Sequence, residues 1–217
     1  MAGVPIKAEY GPTLGHLLAP RWRRSPRGVR AAVLVALVLV VAALVGAGLT
    51  LENATYSRGS PVPFSFSYRD LYRVTPDPGG YVKVQSRYPD GSLRYSYAVD
   101  PLRLPPYSGS VTGELPMYAV GYIRSLARHT LGFELRAEGK TMLNNTLSGY
   151  QVAYESNVEG RPMYTRSILL VPPGTAVRDG VIVVVMASPR ASSHVDSPRE
   201  IAESGELLRP VKTFAFG

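Results

Sequence analysis

Between positions 31 and 51 the chain reads AAVLVALVLVVAALVGAGLTL, with no charged residue. At about 1.5 Å of rise per residue, a helix of this length matches the roughly 30 Å hydrocarbon core of a bilayer. Helices buried in globular cores are usually shorter and keep a polar face. The pattern therefore predicts a transmembrane helix over 31–51. Ahead of it lies a 1–30 tail, and after it a polar 52–63 stretch (ENATYSRGSPVP) that reads as a linker. The rest, 64–217, is long enough to form one domain with its own core.

Within 64–217 the hydrophobic period alternates between 2 and 3.6. FSFSY at 64–68 places Phe64, Phe66 and Tyr68 on one face of a strand. Stretches 81–88 and 93–99 flank Pro89-Asp90-Gly91 and predict a hairpin, with Gly91 supplying the positive φ of the turn. Leu115, Ala119, Tyr122, Ile123 and Leu126 follow helical spacing, with Gly132 placed as terminator. Strand patterns return at 133–143, 148–158 and 163–171, the last two joined across Glu159-Gly160-Arg161. VIVVVMA at 181–187 is apolar throughout, as expected of a central strand covered on both faces. Ser197-Pro198-Arg199-Glu200 combines a capping-box Ser and Glu with Pro at the first helical position, predicting a helix to about 208 that Pro210 stops. A last short strand fits 211–216.

Neighbouring strands joined by hairpins call for an antiparallel sheet, an α+β class. The two-sided strand at 181–187 asks for helices on both faces, hence an α-β-α sandwich preceded by one N-terminal transmembrane helix.

The opening strand FSFSY, GYQVAY at 149–154 with its hairpin into YTRSILL at 164–170, VIVVV at 181–185 and the Ser-Pro-started closing helix together resemble the PsbP/Mog1-like fold. Small actinobacterial lipoproteins and secreted domains share that fold. The resemblance spans about 64–216 and rests on element order, pattern and size. It implies a non-catalytic binding or assembly factor, and it carries no site residue over to this chain. The chain also departs from those relatives, having neither a lipobox cysteine nor a chloroplast targeting sequence.

Charge adds an orientation. Of the net +8, the 1–30 tail holds six bases against one acid, +5, leaving 18 bases against 15 acids, +3, for the remaining 187 residues. A nucleic-acid binder needs a basic stripe on a folded face, and most of this basicity lies in the tail. By the positive-inside rule the tail is cytoplasmic and the C-terminal domain extracytoplasmic. Arg21, Trp22, Arg23, Arg24, Arg27 and Arg30 form the expected membrane-interface set, with Trp22 at the headgroup level and the arginines meeting anionic lipid. A cleaved signal peptide with small residues around Val45-Gly46-Ala47 is the alternative reading of this region, although signal h-regions run only to about 15 residues. With no cysteine in the chain, disulfides and thiol lipidation are excluded.

The search for catalytic chemistry yields little. The histidines are His16, His129 and His194. His129 falls at a helix end, where a capping role is expected. Ser192-Ser193-His194-Val195-Asp196 gathers hydroxyl, imidazole and carboxylate, but no nucleophile elbow exposes a serine. Pro78-Gly79-Gly80 lacks the Lys and helix of a phosphate loop, and no zinc-type spacing is present. The expectation is therefore no catalytic residue, no metal and no cofactor. Thirteen of the 14 tyrosines follow the span. Tyrosine suits recognition surfaces, yet Tyr95, Tyr97, Tyr118, Tyr122, Tyr150 and Tyr154 fall on faces where they are expected to pack. The sequence thus points to a membrane-anchored, extracytoplasmic binding or accessory domain in a bacterial envelope, not an enzyme, whose partner is another envelope protein. A lipid or small-ligand module and an envelope hydrolase are the alternatives.

Overall fold

A computed structural model describes residues 26–49, 53–69, 73–75, 78–106, 109–174, 178–191 and 197–217. The side chains of Arg27, Arg30 and residues 41–49 lie outside this description, as do Arg21, Trp22, Arg23 and Arg24 altogether. The chain divides into two compact units, Met1–Leu51 and Glu52–Gly217.

The first unit contains helix α1 (Arg27–Leu49). Its apolar side chains from Val33 to Val40 are exposed. Among the described residues no helix is long and apolar enough to cross a membrane, so the transmembrane helix expected over 31–51 is not shown, the side chains of its second half lying outside the description.

The second unit is an α+β fold with ten strands among the described residues. β1 (Asn53–Arg58), β2 (Phe64–Arg69) and β10 (Ala215–Phe216) form a three-stranded sheet in the order β1-β2-β10. The other seven strands form a second sheet: β3 (Arg73–Thr75), β4 (Val82–Arg87), β5 (Leu93–Arg103), β6 (Glu134–Leu143), β7 (Leu147–Val158), β8 (Arg161–Leu170) and β9 (Asp179–Ala187). Their order is β3-β4-β5-β9-β8-β7-β6, and every pairing is antiparallel. As its pattern requires, β9 is the middle strand, with Val181 to Val185 buried on both faces. Close backbone approach at the start of β9 depends on Gly180, where a Cβ would collide with the Leu170 carbonyl oxygen of β8.

Helix α2 (Val111–His129) covers one face with Leu115 and Ala119 packed on Val152, Leu169 and Ile182. Ser110 caps it, its Oγ accepting from the Gly113 amide at 3.1 Å. The helix begins a turn earlier than the apolar spacing alone indicates, and Pro116 sits inside it.

The other face differs from the expected sandwich. Its cover is not one long helix but the small sheet, whose Phe64 and Phe66 pack with Tyr97, Val84 and Val183 of the large one, together with the 197–216 segment. Residues 53–58, read from composition as linker, are strand β1, paired with β2 from Asn53↔Arg69 to Arg58↔Phe64. The closing helix is also shorter than its capping box suggests. Pro198–Glu200 makes a single 3₁₀ turn, and Ser197 forms no side-chain cap. The chain then reverses through positive φ at Ala202 and Gly205, burying Ile201, Ala202 and Leu207 against the sheet. A guanidinium N–H of Arg166 donates to the Ile201 carbonyl at 3.1 Å, taking an acceptor that a continuing helix would use. Helix α3 (Leu208–Lys212) follows, with Pro210 in its first turn rather than beyond its end. A proline fits there because the first helical amides have no intrahelical acceptor.

Candidate functional site

Antiparallel order brings three turns to one end of the seven-stranded sheet: 88–92 between β4 and β5, 159–160 between β7 and β8, and 188–191 after β9. The first is built by Asp90, whose Oδ1 accepts from the Ser92 amide at 2.9 Å and the Ser92 hydroxyl at 2.6 Å. These bonds, with Arg161 nearby, hold the Asp90 carboxyl below its usual range. Arg161 reaches Asp90 Oδ2 at 3.3 Å through both terminal nitrogens. Arg87 clamps Glu159 with two hydrogen bonds of 2.8 and 3.0 Å, which lower the Glu159 pKa, and it donates a third to the Gly91 carbonyl at 2.7 Å. The Arg94 guanidinium stands 5.1 Å from the Tyr95 ring centre and 5.7 Å from that of Tyr88. Tyr95 in turn donates to the Ala191 carbonyl at 2.7 Å, tying the third turn to β5.

Two shallow depressions open on this end. One, of about 330 Å³, is lined by Tyr88, Pro89, Asp90, Arg161 and Arg190. The other, of about 290 Å³, is lined by Arg161, Pro162, Ser188, Pro189 and Arg190. They share Arg161 and Arg190, so together they make one groove rimmed by prolines. Both acids at this end are already engaged by arginines, while Arg190 has no ion pair among the described residues. The surface is thus cationic, with Arg161 and Arg190 common to both depressions and the half-buried Tyr88 on one side, and arginine is enriched where proteins recognise one another.

The other sequence candidates are dispersed. His129 is exposed and its Nδ1 lies 2.9 Å from the Ser125 carbonyl of its own helix. Ser192, Ser193, His194 and Asp196 lie outside the described residues. No described tyrosine is exposed: Tyr95, Tyr97 and Tyr154 are buried, and Tyr118, Tyr122 and Tyr150 half-buried, as their packing positions implied. Beneath α2, Tyr122 donates to Ser167 Oγ at 3.0 Å and Ser156 contacts Thr165 at 3.4 Å, and burial pushes the Tyr122 and Tyr154 pKa values up. Asn144, the first residue of an Asn-Asn-Thr acceptor triplet, commits its side-chain amide to the Phe214 carbonyl at 2.7 Å. Among the described residues no group of three His, Asp or Glu is placed to hold a metal ion.

Comparison with known proteins bears on the fold. No family profile and no curated protein matches the chain. Among solved structures, LpqN of Mycobacterium tuberculosis, described as involved in cell envelope biogenesis, aligns at a TM-score of 0.50 and 11% identity over 76% of this chain and 90% of that one. A Pseudomonas aeruginosa protein of unknown function, PA94, aligns at 0.38 and 10% over 64% and 85%. What is shared with LpqN is the fold. Neither neighbour shows a PsbP/Mog1-like identity, so the resemblance drawn from element order reaches only as far as the α+β class.

Proposed function

We propose that this protein is a single-pass, membrane-anchored accessory of the cell envelope whose extracytoplasmic domain docks an acidic segment of another envelope protein in the Arg161–Arg190 groove. The observation that carries the docking is the convergence of three rigid turns on a cationic, Tyr- and Pro-lined surface whose own acids are already paired. Surfaces of this kind gain affinity from a few Arg and Tyr anchors and gain association rate from charge complementarity. A small apolar ligand asks instead for an enclosed apolar cavity, whereas this groove is open and charged. Support for the anchor comes from the uncharged 31–51 run, from the basic residues 21–30 before it, and from the exposed apolar side chains of α1. The description of the LpqN neighbour as involved in cell envelope biogenesis agrees with this assignment.

A photo-crosslinker placed at Pro189 of the full chain in its native envelope tests the docking. One discrete protein adduct should form, with the crosslinked peptide rich in Asp and Glu. It should vanish when Arg161→Glu and Arg190→Glu are combined, and a crosslinker at Arg124 should not yield it. Adducts that survive the charge reversal would overturn the groove as the docking site. Alkaline phosphatase fused after Gly217 tests the anchor separately: the fusion should be active, and an inactive one would reverse the orientation.

A further inference from the structure

A second cleft, of about 320 Å³, lies where the end of β2, the turn at Gly205 and α3 meet. Its charged lining consists of Arg69, Arg209, Lys212 and a single acid, Glu206. Glu206 is paired through one oxygen only: its Oε1 sits 3.0 Å from Arg69 Nη1, while its Oε2 is buried with no hydrogen-bond partner among the described residues, so the lining sets three cations against one carboxylate. Arg209 and Lys212 are exposed, lie one helical turn apart, and have no ion pair among the described residues.

The spacing of these cations is held by backbone bonds. The Ser67 amide donates to Thr213 Oγ1 at 2.8 Å, and the same hydroxyl donates to the Arg209 carbonyl at 2.8 Å, so α3 is pinned to β2 at the cleft wall. Two uncompensated cations on a fixed turn, with a third charged side chain across the gap, suit a compact multivalent oxyanion. A guanidinium offers paired donors to two phosphate oxygens, and an ammonium adds a point charge. We propose that this cleft binds a phosphate group through Arg209 and Lys212, with Arg69 as the third donor. The phosphate belongs either to a phospholipid headgroup or to a soluble phosphate compound. The inference is independent of the Arg161–Arg190 groove, which shares none of these residues.

Because the chain has no cysteine, Ser204→Cys provides a single labelling point beside the cleft for an environment-sensitive fluorophore. Inorganic phosphate, titrated into the detergent-solubilised full chain at constant ionic strength, should give a saturable change. The affinity should fall at least tenfold when Arg209→Ala and Lys212→Ala are combined. It should stay unchanged when Arg124→Ala and Arg128→Ala are combined on α2, and likewise with the groove reversal Arg161→Glu/Arg190→Glu. Mixed micelles containing phosphatidylglycerol should compete with inorganic phosphate if the source is a headgroup, whereas phosphatidylglycerol and phosphatidylcholine micelles alike will leave it bound if the source is soluble. Either pattern supports a phosphate site. A response that does not saturate, or that persists undiminished without Arg209 and Lys212, overturns it.

Discussion

Under α2, the seven-stranded sheet interleaves Val152, Leu169 and Ile182 with the buried hydroxyls of Ser156, Thr165 and Ser167. On its opposite face Tyr97, Val84, Val99, Val183 and Ile168 meet the rings of Phe64, Phe66 and Phe214. The first face is closed by one continuous helix, whose Tyr122 reaches down to a hydroxyl of the sheet. The second is closed by short pieces from residues 53–69 and 197–216, which have little local helical or hairpin stability of their own. Aromatic contact holds those pieces in place: Phe66 and Tyr97 stand 4.6 Å apart between ring centres, and Phe64 and Phe214 5.8 Å. The buried Arg166 on this face is satisfied mainly by neutral oxygens, Gln151 Oε1 at 2.8 Å and the Ile201 carbonyl at 3.1 Å. A cover made of separate pieces leans on side-chain packing more heavily than a cover made of one helix.

The sharpest way to break that contrast is at Phe66, which is 1% exposed. Phe66→Ala should cost about 4 kcal/mol in unfolding free energy, the usual loss for a large aromatic removed from a core. Chemical denaturation of the full chain in detergent, followed by near-ultraviolet circular dichroism, measures it. A loss near 1 kcal/mol would mean that the small sheet is a loose flap and not a core layer.

The helix-covered face should respond strongly at the ion pair of its buried Glu114. Glu114, in the first turn of α2 and 3% exposed, meets Arg178 Nη1 at 2.5 Å, and that nitrogen also donates to the Pro105 carbonyl at 2.8 Å. Arg178→Ala leaves the buried Glu114 carboxylate without this guanidinium and should cost about 3 kcal/mol. The same denaturation experiment reads it. A loss below about 1 kcal/mol, the range of exposed pairs, would show that α2 is held by its apolar stripe alone.

The same contrast explains what the sequence could reveal. Local period was sufficient for α2 and for strands β4 to β9, because each pattern completes within one element and hairpin turns such as Pro89-Asp90-Gly91 join neighbours. β1 escaped notice because Asn53–Arg58 is polar and alternates only weakly; it is a strand by virtue of pairing with β2 in the three-stranded sheet. The capping box at Ser197 carried a true local preference, which lost to the burial of Ile201 and Leu207 and to the bond from Arg166. Two of the three turns of the groove were legible singly, in Pro-Asp-Gly and Glu-Gly-Arg, whereas the turn at 188–191 was not read from the sequence. Their shared end depends on β5 lying beside β9 and β9 beside β8, a long-range fact no window of sequence contains. The membrane-interface residues Arg21, Trp22, Arg23 and Arg24 lie outside the described residues, so the sequence alone speaks for them.

The smallest effect expected is a gain. Tyr97 is 1% exposed in the middle of the aromatic cluster, and its hydroxyl has no hydrogen-bond partner. Burying that group without a partner costs free energy, so Tyr97→Phe should raise stability by about 1 kcal/mol at neutral pH. Burial also raises the Tyr97 pKa well above its ordinary value of 10.0. The folded protein therefore keeps this proton at pH values where the unfolded chain has released it. The contribution is fully present below pH 10 and is lost as pH rises above that, since the unfolded state alone gains by ionising. Wild-type stability should accordingly fall as pH climbs past 10, and Tyr97→Phe should fall less steeply, the remaining slope coming from Tyr95, Tyr118, Tyr122, Tyr150 and Tyr154, whose pKa values are also raised. Denaturation midpoints between pH 8 and 11 for the two proteins settle the matter. Parallel curves would mean that the Tyr97 hydroxyl reaches water in the folded state and that the aromatic face is less tightly closed than its contacts imply.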